Sequence, residues 1–108
     1  MNSFNVIFLD QAKLFLDHME DKARRKVLYN IWKSKMTNNQ KLFSKLTSDI
    51  WEFRTKYLTN EIRFLAFWDK KGHNDILVAA THGFYKKSRK TPKKEIDKAM
   101  TIRNEYFK

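Results

Sequence analysis

At 108 residues, with 42% hydrophobic and 15% aromatic side chains but only two glycines and one proline, the chain has the make-up of one packed domain, residues 1–108, far from a disordered profile. Twenty-three Lys and Arg against twelve Asp and Glu leave a formal charge of +11, which favours polyanionic partners: nucleic acid, an acidic protein segment or anionic lipid. Cysteine is absent, so disulfides, thiolate zinc sites and cysteine nucleophiles are excluded; no apolar run reaches bilayer length and no signal-peptide pattern opens the chain, so the expected setting is the cytoplasm.

Phe4 to Leu9 is a short aromatic and branched run, long enough for a strand and too short for a helix. Asp10 follows as an N-cap carboxylate, and Ala12, Phe15, Leu16 and Met19 recur at the spacing of a buried helical face. Ala23, Val27, Ile31 and Trp32 continue that face, and a tight turn near Glu20 divides the stretch into two antiparallel helices. The cluster Lys22, Arg24, Arg25 and Lys26 reads as a solvated helical face.

Helix two is expected to end in the polar run Met36 to Gln40, with Leu42, Phe43 and Leu46 making one short apolar turn beyond it. Trp51, Phe53 and Tyr57 alternate with Glu52, Arg54 and Lys56, the period of two that sends one face to a core and the other to solvent. A hairpin turn at Leu58 to Asn60 leads into Ile62 to Trp68, apolar apart from Arg63; a glycine turn over Lys70 to Asn74 leads into a third antiparallel strand, Asp75 to Thr81. Thr91 and Pro92 look like a helix cap and first turn, and Ile96, Ala99, Met100 and Tyr106 lie along one face of a terminal helix. The fold expected is a small α+β domain in the order β-α-α-β-β-β-α, a curved antiparallel sheet with two helices packed on one face and a C-terminal helix. Arg54 and Arg63 would then point into the opening left on the other face.

An arginine inside an apolar strand must be paired or reach water, so Arg63 either forms a salt bridge to Glu52 or Glu61 or contacts a phosphate. Between the last strand and the last helix, six of the nine positions from Lys86 to Lys94 are cationic: Lys86, Lys87, Arg89, Lys90, Lys93 and Lys94. Such crowding is costly unless an anion offsets it. Phe84 and Tyr85 stand just before it, and an aromatic beside cations can stack a base while its phosphate is held. Of the histidines, His18 and His73 read as surface or capping residues, whereas His82, at a strand end beside Gly83, is a candidate acid or base. No P-loop, nucleophile elbow or magnesium-type carboxylate cluster is present, so no metal or other cofactor is expected.

The runs WEFR at Trp51 to Arg54, IRFL at Ile62 to Leu65 and HGFYKKSRKTP at His82 to Pro92, followed by Glu95, Ile96, Ala99, Arg103 and Tyr106, resemble the RelE/ParE superfamily. The chain is most similar to the phage-derived, HigB-type branch of type II toxins, over nearly its whole length and most strongly from Ile50 onward. The resemblance implies an mRNA endoribonuclease, often ribosome-dependent, masked by a cognate antitoxin that is commonly a helix-turn-helix DNA-binding protein. It implies that Arg63 contacts the scissile phosphate, that Arg54 supports it from the preceding strand, and that Lys86 and Lys87 lie where relatives place a catalytic basic residue. Many relatives carry a terminal tyrosine as acid or base; Tyr106 reads instead as a packing residue.

For metal-free cleavage through the 2′-hydroxyl, the candidate bases are Glu52 and His82 and the candidate acids Lys87 and Lys86. Phe84, Tyr85, Lys56, Arg89, Lys90, Lys93 and Lys94 would hold the RNA. The rival readings are a ParE-like gyrase poison, a basic domain that only occupies RNA, and a membrane-surface binder; the last is set aside because the helices read as lacking a cationic stripe with exposed bulky residues.

Overall fold

The computed structural model describes residues 4–72 and 76–108, and the apolar runs become five strands and three helices among them: β1 (Asn5–Phe8), α1 (Asp10–Asp17), α2 (Asp21–Thr37), β2 (Phe43–Lys45), β3 (Trp51–Tyr57), β4 (Asn60–Asp69), β5 (Leu77–Tyr85) and α3 (Lys93–Tyr106). His73, the end of the expected Lys70–Asn74 turn and the strand start at Asp75 lie outside the described residues. The α+β architecture is the expected one. No helix among the described residues is long and apolar enough to cross a membrane.

All five strands form one sheet in the order β1-β5-β4-β3-β2. β2, β3, β4 and β5 pair antiparallel, but β1 runs parallel to β5 with Asn5 opposite Leu77, so the sheet is mixed rather than antiparallel throughout. β2 is a further correction. Where the sequence suggested an apolar turn, Phe43 to Lys45 form a strand edge, because Phe43 finds Phe53 across the ladder and stacks on its ring at 4.1 Å.

Alternation divides the sheet's side chains between two cores. Phe53, Ile62, Phe64, Ala66, Val78 and Ala80 face α1 and α2, which contribute Ala12, Leu16, Met19, Ala23, Val27 and Ile31. Leu65, Phe67 and Ala79 face the other way, under Ala99, Ile96 and Met100 of α3. The second face is therefore roofed at one end by α3 and open at the other.

The turn near Glu20 is observed, and α2 closes where expected, on Asn38 in the left-handed conformation (φ 53°), which Asn tolerates. The two expected caps are not caps. Leu9 is still extended and hydrogen-bonded to Ala80, so it becomes the first helix's N-cap and Asp10 its first helical residue. Pro92 is the N-cap of α3, and the Thr91 hydroxyl is used elsewhere. Trp32 was expected in the core but is 54% exposed, because Asn30 and Ser34 turn inward beside Ile31 and carry α2's buried face away from it. With Leu28, Tyr29 and Met36 also exposed, α2 does carry a bulky stripe between basic residues, contrary to the reading that no helix would.

Candidate active site

β3 and β4 bring Arg54 and Arg63 directly opposite each other on the open face. Like charges at that position repel, and neither could be held there without a counter-charge. Glu52, one pleat back on the same face and 1% exposed, supplies it: its Oε1 lies 2.8 Å from Arg54 Nε and 3.6 Å from Arg63 Nε. Arg63 is itself buried and also reaches Glu61, at 3.0 Å from Nη2, and the Ile62 carbonyl. Its Nε makes no hydrogen bond, so a buried donor of the guanidinium remains unpaired.

The second oxygen of Glu52 accepts a hydrogen bond from the Thr91 hydroxyl. That contact gives Thr91 its role: it ties the end of the basic loop to the carboxylate between the arginines. The other end is fixed where the Lys86 amide donates to the Glu61 carbonyl at 2.7 Å, one step beyond β5. Because the β ladder runs on through Phe84–Arg63 and Tyr85–Ile62, His82 to Tyr85 belong to the strand and the loop itself begins at Lys86. Of its six cations only Lys93 finds a carboxylate among the described residues, Asp97 at 2.8 Å.

A bulge decides which β5 side chains share this face. Leu65 pairs with His82 and Ala66 with Ala80, leaving Thr81 as an extra residue. That one-residue shift turns His82 and Phe84 onto the Glu52 and Arg63 side, and Gly83 and Tyr85 onto the α1 side. His82 is 2% exposed, with Nδ1 2.9 Å from Thr81 Oγ1 and Nε2 3.0 Å from Glu95 Oε1. Burial holds its imidazole below the usual histidine range, and the Glu95 hydrogen bond offsets this only in part. Phe84 stacks on the His82 ring at 5.7 Å, whereas Tyr85 packs on Phe15 behind the sheet.

Beside the open end, a cleft of about 360 Å³ runs around the edge of β3 beyond β2, lined by Arg54, Lys56, Glu61 and Arg63 from the open face, by Asn30 and Thr55 from the α2 side, and also by Lys26 and Lys41. The last two went unrecognised in the sequence, Lys26 being assigned to a solvated helical face. No local signal marks them: α2 is fixed there by Asn30, whose amide donates to Thr55, and Lys41 arrives because the Arg54 amide bonds the Leu42 carbonyl. The arrangement suits a phosphate: convergent cations, two of them planar guanidiniums. A larger cavity of about 590 Å³ at the far end of the sheet, among Phe4, Phe43, Trp51 and Trp68, has no carboxylate or histidine in its lining and is no candidate for proton transfer.

The remaining expected residues do not converge on the cleft. Lys93 and Lys94 are exposed on the first turn of α3. Tyr106 packs against Phe67 and donates to Asp69 at 2.8 Å, at the opposite end of β4 from Arg63; the bond raises the tyrosine's pKa. Asp69 is correspondingly held below its ordinary range, first by the Lys71 amide and then by that hydroxyl.

Residues 14–104 match the model of the family described as "Phage derived protein Gp49-like". No curated protein matches the chain.

Proposed function

Since the chain belongs to the phage-derived Gp49-like family, a RelE/ParE-like toxin family, we propose that it is the HigB-type toxin of a type II toxin–antitoxin module and cleaves mRNA without a metal ion. The observation that carries this reading is the cross-strand pair Arg54 and Arg63, held over one buried carboxylate at a cationic cleft.

The reaction begins with an RNA phosphate seated between the two guanidiniums. The adjacent 2′-hydroxyl loses its proton and attacks phosphorus in line; the new P–O2′ bond forms as the bond to the 5′-oxygen breaks, and that oxygen leaves protonated. Charge on the phosphorane falls to Arg63 and Arg54, with the basic loop nearby for the departing strand. Glu52 is enclosed, its oxygens shared by two arginines and Thr91, so in this reading it positions the guanidiniums. His82 is likewise occupied on both nitrogens. The carboxylate presented to the cleft is Glu61, whose side chain is 38% exposed; it takes the 2′ proton, and Lys86, whose amide adjoins it, or Lys87 serves the leaving oxygen.

The test uses purified protein, ribosomes and mRNA. Cleavage at discrete positions that persists in EDTA and leaves 2′,3′-cyclic phosphate ends is expected. Arg63→Ala should slow it by roughly a hundred- to a thousandfold. Intact mRNA with arrested DNA supercoiling would favour the gyrase-poison reading instead. Masking by a cognate antitoxin, typically a helix-turn-helix protein in relatives of this type, belongs to the same proposal.

A further inference from the structure

The cleft chemistry leaves the outer face of α2 unused. Leu28 (42% exposed), Trp32 (54%) and Met36 (48%) recur every four residues, and Tyr29 (53%) stands three before Trp32, with the Tyr29 and Trp32 rings 6.0 Å apart. The opposite side of the helix, through Val27, Asn30, Ile31 and Ser34, is committed to the sheet, so nothing in the described chain covers the stripe. A run of large apolar side chains left in water marks a surface made for a partner.

Charge says which kind. α2 holds six cations and one carboxylate, and among the described residues only Arg24 is paired, with Asp21; Lys22, Arg25, Lys26, Lys33 and Lys35 face no carboxylate. A second copy of the chain would set these cations against themselves, so self-association through this face is opposed. A polynucleotide would suit the cations but gains little from Leu28 and Met36, which cannot stack as rings do. A bilayer could cover the stripe but not reach on, as Lys26 does, into the cleft that holds Arg54 and Arg63. A polypeptide can follow such a path.

We propose that the outer face of α2 docks an amphipathic helix of an acidic partner protein. Its apolar residues cover Leu28, Trp32 and Met36, its carboxylates meet the flanking lysines and arginines, and its chain can run on past Lys26 to the cleft. The inference is independent of whether the cleft cleaves RNA.

The probe is a labelled synthetic helix with leucines at positions i, i+3, i+4 and i+7 and glutamates on both flanks, titrated into the full-length protein by fluorescence anisotropy. Binding is expected to weaken with salt and to fall about thirtyfold or more in the double variant Leu28→Ser/Trp32→Ser. Both positions are exposed, and an unchanged melting temperature verifies that the variant is folded. Arg63→Ala should keep the affinity, which separates this surface from the cleft. The proposal is overturned if the double variant binds the peptide as tightly as the parent. It is equally overturned if anionic vesicles or a single-stranded RNA bind through Trp32 more tightly than the peptide, or if Trp32→Ser abolishes a dimer of the protein itself.

Discussion

Replacing Glu52 by glutamine keeps the side chain's shape, removes the charge shared by Arg54 and Arg63, and turns one accepting oxygen into a donor. At an effective dielectric of about 20, each guanidinium gains roughly 4–6 kcal/mol of gross attraction from a carboxylate at the distances seen, 2.8 and 3.6 Å, most of it offset by desolvation. Removing one partner of a buried pair costs about 3–5 kcal/mol because the remaining charge stays buried. Arg54 is 35% exposed and Arg63 retains Glu61, so water and the second carboxylate reduce the loss here to about 2–4 kcal/mol. For a domain of 108 residues, about 1 kcal/mol moves the melting temperature by roughly 4 °C, and Glu52→Gln should therefore melt about 8–16 °C lower by circular dichroism. The cost should shrink by at least about 1 kcal/mol in an Arg63→Met background, where the uncompensated charge is gone. A melting temperature within about 2 °C of the parent would refute the idea that this carboxylate holds the two arginines face to face.

His82 makes stability pH-dependent. The unfolded chain protonates this side chain near its ordinary value of 6.5 and the native state only at lower pH, so the unfolded state binds more protons in between; stability is full above that value and declines as pH falls below it. Thermal melts across that window should show the decline, and His82→Gln should flatten it. Gly83→Ala should cost about 1–3 kcal/mol in denaturant unfolding, since an added Cβ would stand 2.5 Å from Phe15 Cδ2 and 2.9 Å from Phe64 Cε2. Tyr106→Phe should leave RNA cleavage unchanged while Asp69, followed by NMR, titrates closer to its ordinary value of 3.8; a large loss of cleavage would overturn the reading of the tyrosine as a packing residue.

Local pattern made much of this fold legible. The alternation from Trp51 to Tyr57 assigns Phe53 inward and Glu52 and Arg54 to the opposite face, and Asn60 to Asp69 follows as its hairpin partner. The helix pair broke where polar residues clustered. Long-range pairing left no such trace: nothing in Phe4 to Leu9 announces a parallel neighbour most of the chain away, and three residues of β2 are too few for a period. Trp32 was misassigned because a wheel drawn through apolar residues cannot anticipate that Asn30 and Ser34 would be buried in its stead. In the site, the arginines and the basic loop were visible as charges out of place. The roles of Thr91, Lys26 and Lys41 were not, since each depends on contacts between elements distant in sequence.

The parallel pairing of the first strand with the last has a consequence for synthesis. Asn5 cannot find Leu77, nor Leu9 the Ala80 carbonyl, until β5 has been made, and closing so long a loop is slow. The same late segment brings the basic loop and Thr91 to Glu52 between the waiting arginines. In a nascent chain the arginine pair therefore stands without its loop until β5 and Thr91 have been made.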